Sequence, residues 1–240
     1  MMDARLPGIG GLPPGTHPVG EKESLFERFP WLYAFCRDHL FQDDTPRITR
    51  ALWPSGAPGE GSVLLELGCG PGFYARRLAG DLPQLRVTGI DLSGKQLERA
   101  RALATADGLG NCSFERGDVY DLDRPDASAG ALVASRLFTI LADRETALEE
   151  MHRVLEPGGR CFVAEPCSAL RASVPLHAMW MLAGALTFLG DKPRAYQEPA
   201  RVSVMTGGEF DALIASQPWK DVRRWQSGRY RYAVCEKGGG

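Results

Sequence analysis

The sequence predicts an α/β fold, a mainly parallel sheet covered by helices on both faces. From Val63 onward, short apolar runs alternate with helical patterns, and the first run passes into a helix through closely spaced glycines. The chain is also 44% hydrophobic and 24% charged over 240 residues, ordinary proportions for a globular protein with a sizeable core. A sheet of this kind places its ligand beyond the carboxyl ends of its strands.

The elements follow in order. Residues 1–20, rich in Gly and Pro, read as a flexible leader without a packed element. Residues 21–55 are expected to form an N-terminal helical lid, with an aromatic-rich stretch over 24–41 that Pro30 interrupts. A helix opens near Thr45 as N-cap, with Pro46 at its first position. After the loop "SGAPGEGS" the main domain runs from 56 to 240. Its strands are Val63–Leu67, "RVTGID", "CSFERGD", "GALVAS" and "RCFVAEP". Between them lie helical patterns from Gly72, from Ser93 (a capping box with Gln96) and over "DRETALEEMHRVLEPGG". Residues 168–205 are read as a helical insertion. Thr206 and Glu209 offer a second capping box, "KDVRRWQS" and "RYRYAVCE" a closing hairpin, and "KGGG" an unstructured end.

The junction "VLLELGCGPGFYARRLA" raises the chemical question. Gly68, Gly70 and Gly72 stand at alternate positions, a costly arrangement that implies close approach to the main chain. A phosphate loop would need Gly-Lys-Ser/Thr after them, and the chain reads Gly72-Phe73-Tyr74. The dinucleotide fingerprint would need glycine where Phe73 stands. Glu66, just before the glycines, would repel a pyrophosphate and attract an amino group. Asp91, closing "RVTGID", suits ribose hydroxyls. Asp118 in "ERGDVY" suits an adenine amino group, or is simply a turn-forming residue. Amine, ribose and adenine together describe S-adenosylmethionine.

Residues 63–166 resemble the class I S-adenosylmethionine-dependent methyltransferases. The motifs are "VLLELGCGPG", "VTGIDLS", "FERGDVYDL", "RLFTIL" and "EMHRVLEPGGRCFVAE", in the family's order. The resemblance implies a seven-stranded sheet with its last strand antiparallel. It also implies cofactor contacts at Glu66, Gly68, Cys69, Gly70, Asp91, Leu92, Asp118, Val119 and Arg136, the last mainly through backbone.

The expected reaction is methyl transfer to a small, apolar or aromatic acceptor, with methylation of protein or RNA and nicotinamide-dependent oxidation as alternatives. Tyr33 and Trp180 are the candidate acceptor-pocket residues. His177 is either a general base or a core histidine. The net charge of −2 disfavours a nucleic-acid substrate. The stretch 173–190 falls at the lower length limit for a membrane span and holds Pro175 and His177, so no span is expected. Its excess apolar surface needs the lid, the acceptor or a second subunit, as in a homodimer. Six cysteines without C-x-x-C or zinc spacing read as reduced thiols of a cytoplasmic protein, with no metal site.

Overall fold

The computed structural model describes residues 43–167 and 203–239. Helix α1 (Thr45–Leu52) precedes β1 (Val63–Leu67), α2 (Phe73–Asp81), β2 (Arg86–Asp91), α3 (Gly94–Ala106), β3 (Cys112–Arg116) and β4 (Ala129–Ser135). Then come α4 (Arg144–Val154), β5 (Leu155–Pro166), α5 (Gly207–Ala215), β6 (Trp219–Ser227) and β7 (Tyr230–Lys237). They build one seven-stranded sheet of order β3-β2-β1-β4-β5-β7-β6. All neighbours pair in parallel except β7, which runs antiparallel to both β5 and β6. This is the predicted α/β sheet, last strand included.

Strand alternation divides the core into two layers. Leu64, Val87, Ala131, Val133 and Phe162 face α1, α2 and α3, while Leu65, Leu67, Leu132, Ala134 and Val163 face α4 and α5. Consecutive β1 residues are therefore buried on both sides, which explains its unbroken apolar run. The order reverses between β1 and β4, so their following loops diverge and open a crevice at the carboxyl edge.

Several boundaries differ from the sequence reading, each for a local reason. The N-cap of α1 is Asp44 rather than Thr45, whose N–H and hydroxyl both bind Asp43 Oδ1. The α4 pattern reaches Gly159, but the helix stops at Val154 because Leu155 pairs with Ala129. Lys237 caps that end by donating from Nζ to the carbonyls of His152, Arg153 and Leu155 at 2.7, 3.2 and 2.7 Å. The first residue of "KGGG" thus closes β7 and anchors α4 instead of belonging to a loose end. The capping box at Thr206 forms in both directions.

Most of the expected lid (21–42), the leader and nearly all of the 168–205 insertion lie outside the described residues, and with them Tyr33, His177 and Trp180. No described helix is long and apolar enough to cross a membrane.

Candidate functional site

The loop after β1 owes its shape to its glycines. Gly68, Gly70 and Gly72 have φ of 64°, 52° and 73°, all left-handed, where a Cβ is penalised. Two of the three also make room for the protein itself. A Cβ on Gly68 would stand 2.8 Å from Leu137 Cδ1, in the loop after β4. One on Gly72 would stand 2.4 and 2.5 Å from the Phe114 ring. The close approach implied by the glycines is therefore made by Leu137 and Phe114 at these two positions. Gly70 instead turns its N–H toward Asp91.

Asp91 braces this loop from the end of β2. Its Oδ2 accepts from Gly70 N at 2.8 Å and its Oδ1 from Ser93 N at 2.9 Å, at the mouth of α3. Burial raises its pKa, and the bonds from Ser93 and Gly70 oppose that shift. Each carboxyl oxygen keeps acceptor capacity for a further donor. Leu92 follows directly and is 57% exposed.

Glu66 has a role that its position in the sequence conceals. Only 4% exposed, it accepts the Ala75 N–H through Oε2 at 2.7 Å. The N-cap of α2 is Gly72, which has no side chain to cap with, so the acid two residues before the glycines serves instead. Cys69 is also buried, its thiol pushed well up by desolvation; a Cβ on Gly89 would meet its sulfur at 2.9 Å. Its side chain packs inside.

Beyond β3, Asp118 is exposed and its Oδ1 accepts the Tyr120 N–H at 3.1 Å, the turn-forming geometry. Val119 beside it is buried. Arg136 closes β4 with φ of 59°, a left-handed backbone in a non-glycine residue, held by its N–H donating to Ala164 O at 2.7 Å. The structure thus gathers Gly68, Cys69, Gly70, Asp91 and Leu92 at the β1 and β2 ends, with Arg136 across the crevice just after β4.

One site-proximal group escaped the sequence reading. Glu165, near the end of β5, is 1% exposed, and its Oε1 accepts the Phe138 N–H at 2.9 Å. Its other oxygen is buried without a hydrogen-bond partner. An acid at the end of the apolar run "RCFVAEP" was the available signal.

Sheet order, crevice and glycine loop give the chain the fold of the class I methyltransferases. Residues 64–159 match the family described as "Methyltransferase domain". The chain is 35% identical over 156 residues to the demethylmenaquinone methyltransferase of Deinococcus radiodurans, covering 59% of this chain and 64% of that one. Across three curated relatives the match spans 43% to 64% of the relative's length, about half. Among solved structures, a provisionally assigned S-adenosyl-L-methionine-dependent methyltransferase of Methanococcus maripaludis superposes with TM-score 0.67 at 17% identity, covering 93% of this chain and 99% of that one. The [4+2]-cyclase SpnF superposes with TM-score 0.63 at 18% identity, covering 90% and 94%.

The cofactor of this class is S-adenosyl-L-methionine, and the residues present fit it. Asp91 offers a fixed pair of acceptors to a diol, and exposed Leu92 offers an apolar face to a heterocycle. Such a pair of acceptors suits a hydroxyl-rich ligand better than a pyrophosphate. Among the described residues no cluster of His, Cys, Asp or Glu could hold a metal ion.

Proposed function

We propose that the protein transfers the methyl group of S-adenosyl-L-methionine to a small, mainly apolar or aromatic molecule by in-line displacement. The observation that carries this reading is the pairing of Asp91 with exposed apolar side chains at the same sheet edge. Leu92 follows β2 and Ile140, 61% exposed, lies in the loop after β4; they are the exposed large hydrophobics among the described residues. Apolar side chains presented to water beside a crevice favour an apolar guest.

When bound, the cofactor supplies a methyl group already activated on a positively charged sulfur. The protein's part is alignment and exclusion of water, worth several powers of ten in rate. Asp91 and the loop from Gly68 to Gly72 fix the donor side. The loop from Arg136 to Ile140 walls the acceptor side, and Tyr33 and Trp180 remain the proposed aromatic contributors. His177 is kept as the proposed base for an acceptor that must lose a proton. The net charge of −2 agrees with a small-molecule substrate, and a cytoplasmic location is part of the proposal.

The test is incubation with methyl-labelled cofactor and three acceptor pools: hydroxylated aromatic and terpenoid small molecules, polypeptides, and RNA. Mass spectrometry should find the label in apolar small molecules. Label confined to polypeptide or RNA would refute the proposal.

A further inference from the structure

We propose that Cys161 and Cys235 form a cross-strand disulfide site: a dithiol pair that a low-molecular-weight disulfide oxidises to one S–S bond stapling β7 to β5. The inference is independent of the donor and acceptor readings.

The two cysteines are far apart in the chain, and the antiparallel register brings them together. Cys161 on β5 stands directly opposite Cys235 on β7. Both are free thiols in the same core layer, so both side chains lie on one face of the sheet. The ladder itself shows which kind of pair they make. One step beyond the Pro166–Tyr230 pair, the Cys167 N–H donates to Arg229 O at 2.8 Å. Hydrogen-bonded pairs recur at every second residue of an antiparallel ladder, so 165, 163 and 161 belong to the same set. Such pairs hold their Cα atoms about 5.5 Å apart. A disulfide spans Cα separations of roughly 4.4–6.8 Å, most often about 5.5–6 Å, so the bond closes without backbone movement.

Neighbouring contacts keep this register from slipping. Arg160 Nη2 meets Glu236 Oε2 at 2.6 Å across the same two strands, and Lys237 Nζ is fixed on the α4 carbonyls. A slip of one residue would carry one cysteine to the opposite face. Among the described cysteines no other two oppose each other: Cys112 faces Val87, and Cys69 and Cys167 lie beyond strand ends.

Contact with the Cys235 side chain, then burial, pushes the Cys161 thiol well above its ordinary range. Both cysteines are 0% exposed, and a buried, protonated thiol is inert. Exchange therefore runs while the chain folds, before β7 docks, or when the β6–β7 hairpin opens. One cysteine thiolate attacks the S–S bond of the oxidant, forming a mixed disulfide and releasing one small thiolate. The second cysteine loses its proton and attacks the protein sulfur of that mixed disulfide, releasing the other. Two protein thiols are oxidised, one small disulfide is reduced to two thiols, and the two protons pass to the leaving thiolates. The bond encloses the whole span from β5 to β7, and long enclosed spans gain most from closure.

The experiment oxidises the full chain in mixtures of reduced and oxidised glutathione. One sample is refolded from urea in the mixture, and another, never unfolded, is held in it just below its melting temperature. Remaining thiols are alkylated, and peptides are mapped by mass spectrometry without reduction. In both samples a peptide pair joining Cys161 to Cys235 should be the main cross-link, formed faster during refolding. The oxidised protein should melt higher than the reduced one by about 5 °C, and reductant should restore the lower value. In Cys235→Ser, Cys161 should be alkylated and melting should not depend on the redox mixture. Alkylation of both cysteines in both samples overturns the proposal, as do cross-links that join other cysteines instead. Equal melting of the oxidised and reduced wild type also overturns it. If the chain does not refold from urea, the never-unfolded sample decides alone.

Discussion

Gly72→Ala is expected to destabilise the protein by roughly 2–5 kcal/mol, the sum of a left-handed-backbone penalty and overpacking. The backbone part follows from φ of 73° at the N-cap of α2. Overpacking follows from a Cβ placed 2.4 and 2.5 Å from the Phe114 ring and 3.2 Å from Ala100 Cβ. Phe114 cannot retreat cheaply, because the position of a Cβ on Gly89 is also within 2.8 Å of its ring. Gly108→Ala is the control: its φ is 71°, but nothing lies within 4 Å of the added Cβ. It should lose only about 1–2 kcal/mol. Urea denaturation of both variants measures the difference, and equal losses would show that the ring seat contributes nothing.

Asp91→Ala is expected to lower cofactor affinity by roughly 1–3 kcal/mol, since the ligand hydroxyls lose their acceptors. The sequence suggests a residue devoted to the ligand, with little consequence for folding. The structure changes that expectation, because the same carboxylate braces Gly70 and Ser93. Thermal stability should therefore fall too, by about 1 kcal/mol. Asp91→Asn separates the two effects only in part, since its amide would set a donor against one of those N–H groups. Calorimetry and melting curves on both variants measure the two losses. Unchanged affinity in Asp91→Ala would remove this residue from the donor site.

What could be read before the structure was set by the range of the interaction involved. Periodicity and capping are local, so the sheet order's building blocks, the box at Thr206 and the cap at Ser93 were legible. That Asp91 ends β2 was legible from the run "RVTGID", and that Arg136 follows β4 was legible from the motif order of the resemblance. The occupants of the glycine turn were not legible. That Gly72 seats Phe114 and Gly68 meets Leu137 depends on contacts between residues far apart in the chain. Glu66 as the substitute cap of α2 was hidden for the same reason, as was Lys237 closing α4 from the far end of the chain. Glu165 looked like one acid in an apolar strand, and only its burial and its bond to Phe138 set it apart.

The central claim is that the β1–β4 crevice holds S-adenosylmethionine. Titrating the wild-type protein in a calorimeter with S-adenosylmethionine, S-adenosylhomocysteine and NAD tests it most directly. Saturable binding of the first two, weakened in Asp91→Ala, with no response to NAD, is the predicted result. Tight binding of NAD with no response to either sulfur ligand would contradict it.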